Sequence, residues 1–180
     1  MVSGMTRNTL AAVVLASAFA VPSAAQQPCK RNLESGFSYC SPDGWTIKPS
    51  LDDKFKTFWG PASVTLTPNI NVKDEENGKP LPEVVAAEIK YILDSPQKAG
   101  ATSVKVLSQS DFIATSGQRG VKVVFHVENT ARALVVRTYQ YYFSGRGNQI
   151  LVLTCTGLEA DKNTLEPIFD RALKTFQLDQ

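Results

Sequence analysis

Histidine is nearly missing from this chain: among 180 residues there is one, His126. Imidazole-dependent general-base or nucleophile-activating chemistry has only that residue to use. Two-histidine zinc spacings are excluded outright, and no G-x-S-x-G or phosphate-loop pattern occurs. The chain also lacks a large excess of one charge, with 19 Lys and Arg against 17 Asp and Glu. A nucleic-acid-binding surface normally needs a basic stripe, and none is visible. Cysteine is scarce: Cys29, Cys40 and Cys155, with no C-x-x-C pair. That is weak material for a zinc site. The longest apolar run, residues 10–21 (LAAVVLASAFAV), is well short of the ~20 residues that cross a bilayer.

What is present at the N-terminus has a different meaning. Arg7 is the one charged side chain in the first 25 residues, the apolar run follows it, and "PSAAQ" supplies small Ser23 and Ala25. This is the three-part pattern of a secretory signal, with cleavage expected after Ala25. Gln27 and Pro28 precede Cys29, so no lipobox is formed. The expectation is a soluble exported protein, periplasmic or secreted, with residues 1–25 as signal peptide and residues 26–180 as a single domain. Removing Arg7 lowers the formal net charge from +2 to about +1. In an oxidising compartment paired cysteines read as disulfides. The expected pair is Cys29–Cys40, which lie close in sequence, with Cys155 a buried free thiol; Cys29–Cys155 and Cys40–Cys155 stay open. A loop that short stabilises by about 2–3 kcal/mol in the chain-entropy model.

Local patterning predicts the elements. Around "FSYCSPDGWTI" (residues 37–47), Ser41-Pro42-Asp43-Gly44 reads as a type I turn between two strands of a hairpin. "KFKTFWG" is a short strand. In "SVTLTPNINV" a strand over residues 63–67 is broken at Pro68 and resumes over 69–72. "KDEENGKP" reads as a polar loop whose Asp74, Glu75 and Glu76 are a solvated tip. Leu81, Val85, Ile89, Ile92 and Leu93 then recur at helical spacing, with Pro82 in the first turn and Pro96 beyond the end. Four strands follow, the first kinked between residues 106 and 111. In the second, Val121, Val123, Phe125 and Val127 face one side while Lys122, Val124, His126 and Glu128 face the other. The last two form a hairpin around "SGRGN". A closing helix carries Leu165, Ile168, Phe169, Ala172, Leu173 and Phe176 on one stripe. Asn163 or Thr164 is its expected cap, and Pro167 is placed in its first turn.

Grouped strands with separate amphipathic helices imply α+β. Several strands are apolar on both faces, which calls for a central sheet covered on both sides. The succession of "FSYCSPDGWTI", "FWG", "SVTLTPNINV", the middle helix, "ILVLTCTG" and "LEPIFDRALKTFQL" resembles the PsbP/Mog-like fold superfamily, in its exported bacterial DcrB-like and PsbP-like branch. The resemblance covers nearly all of residues 26–180. It implies an α/β/α sandwich with a twisted antiparallel sheet flanked by helices. It also implies an adaptor role, since its photosystem member stabilises a metal-cluster assembly and its Mog member binds a small GTPase. It transfers no catalytic residues.

His126 sits on the strand side that carries Lys122 and Glu128 and reads as a half-exposed strand histidine. The aromatic residues are the candidates for contact. Trp45 and Trp59 stand beside glycines at strand ends, and Tyr139 and Tyr141 crowd one strand with Arg137. Tyr and Trp bring area and a polar tip to interfaces. The expected function is therefore a non-catalytic exported protein that binds a protein partner, of adaptor or assembly-factor type. It is expected to be a monomer with no cofactor, no metal, no nucleic acid and no membrane span. The competing readings are an envelope inhibitor or immunity protein, and a small-ligand-binding protein with a concave pocket.

Overall fold

The computed structural model describes residues 31–34, 36–49, 55–63 and 65–179. The expected signal segment and Cys29 lie outside them. The β-prone second half of the chain folds into a meander: β6 (Ser103–Ile113), β7 (Arg119–Asn129), β8 (Leu134–Ser144) and β9 (Gln149–Leu158). Strand β9 then pairs with β5 (Asn69–Glu76), which is followed outward by β4 (Lys56–Trp59) and β3 (Thr46–Pro49). The result is one seven-stranded sheet, ordered β3-β4-β5-β9-β8-β7-β6, antiparallel at every pairing.

Each face receives one helix, so the expected α+β sandwich is the architecture found. Helix α1 (Leu81–Asp94) starts with proline in its first turn and stops before Pro96, as the spacing predicts. It buries Val84 and Val85 over Val123, Phe125, Tyr142, Ile150 and Val152. Helix α2 (Lys162–Lys174) buries Leu165, Phe169, Ala172 and Leu173 on the opposite face, against Tyr139, Tyr141, Leu153 and Cys155. The Val121–Val127 alternation holds: Val123 and Phe125 lie under α1, and Val124 joins the α2 side.

The α2 face has a second cover. Strands β1 (Arg31–Leu33), β2 (Phe37–Cys40) and β10 (Gln177–Leu178) form a separate three-stranded sheet. Phe37 stacks on Phe176 at 5.7 Å, and Tyr39 meets Phe58 of β4 edge-on at 5.3 Å. Phe176 itself stacks on Phe143 at 4.0 Å. Each of these fully buried rings contributes roughly 1.5–3 kcal/mol by leaving water.

Several local expectations are corrected. The strands flanking residues 41–45 are not partners, since β2 belongs to the small sheet and β3 to the large one. The turn is shifted by one residue. Trp45 donates its N–H to the Pro42 carbonyl, and Gly44, at φ 75°, occupies the third position, as in a type II turn. No strand forms over the described residues of 63–67, whereas β5 runs on through Lys73 to Glu76, because the long β9 offers a ladder partner to each of these residues. The kink expected in β6 is a bulge between Val106 and Ser108 inside one continuous strand. Leu93 is 42% exposed, and Val84 takes the buried place on α1. Helix α2 begins earlier than expected, at Lys162, so neither Asn163 nor Thr164 caps it and Pro167 lies within the helix.

Candidate functional site

The five aromatic and basic residues singled out from the sequence do not converge on one surface. Arg137, Tyr139 and Tyr141 lie on the α2 face. Tyr139 is 1% exposed and Tyr141 is fully buried, so both rings serve the core and neither is a contact surface. The period-two pattern of β8 places them under α2 with Phe143. Tyr141 donates its hydroxyl to Asp170 at 2.6 Å. Burial, then the neighbouring Cys155 and Asp170, push its phenol far above the ordinary tyrosine range. Lys122, nearly buried on β7, reaches Glu166 and Asp170 of α2 at 2.8 Å each, with its ammonium over the rings of Tyr139 and Tyr141. Arg137 clamps Glu159 with two hydrogen bonds, 2.9 and 2.6 Å. Burial raises the Glu159 carboxyl, but the bonds from Lys162 and Arg137 outweigh it and hold the group below its ordinary range.

These contacts tie α2 to the sheet, and they leave the reactive groups paired. His126 lies between Glu128, at 3.0 Å, and Glu159, at 3.4 Å. Cys155 is a free thiol with no exposure, and burial pushes its ionisation up, the opposite of what a nucleophilic cysteine needs. The acidic trio lies within β5. Asp74 accepts from Gln149, and Glu75 pairs with Lys73. Among the described residues no group of three His, Cys, Asp or Glu is placed to hold a metal ion.

Trp45 and Trp59 have separate fates. Trp45 packs edge-on against Phe169 at 5.9 Å, and Gly60 passes so close beneath it that an added Cβ would stand 3.0 Å from the indole. It is a wedge against the core. Trp59 points the other way, onto the face that carries α1, with the Lys48 ammonium 5.7 Å above its ring. Beside it is a shallow depression of about 380 Å³ bounded by Thr46, Lys48, Gly60, Pro61 and Thr67.

Among the described residues, that face is only half covered. Helix α1 touches β6, β7 and β8, and its apolar footprint ends at Tyr142 on β8 and Val152 on β9. Beyond that line the side chains of the same face turn polar. The pairing registers align them in two rows across the strands. One is Thr46, Trp59, Asn69, Thr156 and Thr138. The other holds Lys48 opposite Thr57, then Asn71, Thr154 and Gln140. Except for Thr57, which is buried, these side chains are half-buried or exposed. Sequence reasoning found Trp59 and missed the rest. A signal was available within single strands: on one face of β9 the order is Ile150, Val152, Thr154, Thr156, a change from apolar to polar without a change of phase.

No protein-family model and no curated protein matches the chain. Solved structures do. The cyanobacterial PsbP protein CyanoP of Synechocystis superposes with a TM-score of 0.60 at 15% identity, covering 83% of this chain and 92% of that one. The Ran-binding protein Mog1p of Saccharomyces cerevisiae gives 0.58 at 10% identity, over 84% of this chain and 96% of the other. LpqN of Mycobacterium tuberculosis, involved in cell envelope biogenesis, gives 0.56 at 13%, over 87% and 88%. With its seven-stranded antiparallel sheet between one helix on each face, the chain has the PsbP/Mog-like fold.

Proposed function

We propose that this is an exported, non-catalytic binding protein that engages a protein partner, of adaptor or assembly-factor type, in the periplasm or outside the cell. The observation that carries the reading is β6. Among the described residues it ends the large sheet with one neighbour, β7, and it runs for eleven residues exposed along most of its length. Edge strands of this kind accept an extended segment of another protein through backbone hydrogen bonds. Val106, Leu107 and Ile113, at 36%, 46% and 48% exposure, offer apolar side chains beside that edge. The bulge at Val106/Ser108 and Lys105 oppose indiscriminate pairing, which leaves residues 108–113 as the regular stretch to be extended. Likeness to a Ran-binding protein and to a protein of envelope biogenesis supports a binding role on this fold.

Export rests on the Arg7, residues 10–21 and Ala25 pattern. The Cys29–Cys40 disulfide belongs to the same proposal. Its support is that Cys155 is the free cysteine among the described residues, and that the β1–β2 register sets Arg31, two residues past Cys29 in sequence, opposite Cys40. Mass spectrometry of the secreted, unreduced protein is expected to give Gln26 as the first residue and a linked Cys29–Cys40 peptide. For the partner, a photo-crosslinker placed at Gln109 on β6 is expected to capture one defined envelope protein, and the same probe at Arg171 on α2 is not. Equal capture from both positions, or none from β6, refutes docking at this edge.

A further inference from the structure

We infer that the uncovered half of the large sheet binds a β-linked glycan chain laid across the strands, with Trp59 stacking on one sugar ring. The inference goes beyond a protein partner at β6. It concerns a surface that runs from β3 to β8, with Trp59 on β4 five strand spacings from β6, or about 24 Å at ~4.8 Å per spacing.

The side chains present select the ligand class. The two rows contain four threonines on β4, β8 and β9, two asparagines, one glutamine, Trp59, and on β3 Thr46 and Lys48. They hold no carboxylate and one cation. A nucleic acid would need several phosphate-neutralising Lys or Arg residues, and a lipid surface would need an apolar patch. A protein interface is normally built on an apolar core with aromatic and Arg anchors; here Trp59 stands alone among hydroxyls and amides. A neutral, polyhydroxylated chain suits this surface, because each sugar hydroxyl both donates and accepts, as threonine, asparagine and glutamine side chains do.

These groups are also available. The half-buried hydroxyls of Thr138, Thr154 and Thr156 make no side-chain hydrogen bond among the described residues, whereas Thr46 donates to the Trp59 carbonyl at 3.4 Å and Thr57 is buried. Asn69 accepts from Asn71 at 3.4 Å, and Gln140 accepts from the Tyr142 hydroxyl through its oxygen, leaving its amide nitrogen without a hydrogen bond among the described residues. The spacing fits as well. The first row crosses five strands, about 19 Å from end to end. A β-linked hexose chain in this direction advances by close to one strand spacing per sugar, so successive rings meet successive strands. One place from the end of the row the indole supplies a flat apolar face for the C–H side of a sugar, and the exposed Lys48, whose ammonium now lies over that ring, swings aside to hydrogen-bond a ring substituent. The depression bounded by Gly60 and Pro61 gives that sugar a floor.

The test is titration calorimetry with chitohexaose and cellohexaose, with maltohexaose as the α-linked control, on the protein as secreted. Saturable binding of at least one β-linked probe is expected, with maltohexaose weaker by about tenfold or more. Trp59→Ala is expected to weaken binding by about tenfold or more, and Thr154→Ala with Thr156→Ala together by a few-fold. Arg171→Gln leaves it unchanged. Should Trp59→Ala fail to fold, Trp59→Phe and the threonine pair carry the test. No saturable binding of either β-linked probe, binding indifferent to both sets of variants, or a photo-crosslinker at Thr156 that captures a protein instead, overturns the inference. Crosslinking from β6 is read separately, so either site can fail without the other.

Discussion

The two halves of one sheet face differ more than the two faces do. Under α1, Val123, Phe125, Tyr142, Ile150 and Val152 are packed as tightly as the residues under α2. A few residues along the same strands, Gln140, Thr138, Thr154 and Thr156 keep the same side but stay half-exposed. On the opposite face no such step occurs, because α2 and the small sheet together cover it from Phe58 on β4 to Phe112 on β6. The lesson is that a strand reports the length of its cover. Alternation sets which face a residue occupies, and polarity along that face shows where the covering helix stops.

The largest effect that could break this comparison is in the covered half. Phe125→Ala is expected to lower stability by about 3–5 kcal/mol, measured by urea denaturation, because α1 cannot follow the lost ring. A loss under 1 kcal/mol would mean that α1 is not seated there. Alkaline stability comes next. Burial holds the Tyr141 phenol on the α2 side and the Tyr142 phenol under α1 well above the ordinary range. Above pH ~10 the unfolded chain releases protons that the folded state keeps, so stability falls with rising pH, by about 1.4 kcal/mol per pH unit for each tyrosine. Tyr142→Phe should flatten the slope of the melting curve against pH, and a slope unchanged by it contradicts burial under α1.

Smaller losses follow where charge holds α2. Lys122→Ala is expected to cost about 1–2 kcal/mol. That is less than the ~3–5 for breaking a fully buried pair, because Glu166 and Asp170 are each 38% exposed and can rehydrate. The smallest change belongs to the open half. Thr154→Ala should alter stability by no more than about 0.5 kcal/mol, since its hydroxyl has no hydrogen-bond partner among the described residues. A larger loss would show that this face is part of the core after all.

Much of the secondary structure was legible before any coordinates. The stripe of α1, the alternation of β7, the β8–β9 hairpin and the apolar stripe of α2 all follow from periodicity. The illegible parts share one cause: local signals do not name partners. Pro42 to Gly44 marks a turn, but nothing there says that Phe37 will pair toward β10 while Thr46 pairs with Trp59. The "KDEE" stretch reads as solvent-exposed and loop-like until the length of β9 gives it a ladder. The contact aromatics split for the same reason. Composition marks Tyr139, Tyr141 and Trp59 alike, and the layer above each decides whether it is core or surface.

Sequence alone determined the class of the domain, its helical stripes and the shortage of reactive groups, because these depend on residue type and on periods of two and 3.6 residues. It also carried the arrangement of Arg7, residues 10–21 and Ala25 on which the proposal of export rests. Only the tertiary structure decided which strands are neighbours, that β6 is an edge among the described residues, and that α1 reaches Lys73 and Glu75 of β5 but not Asn69 and Asn71, β4 or β3. Those outcomes depend on contacts between residues far apart in the chain, and the energy of a contact becomes defined only when both partners are in place.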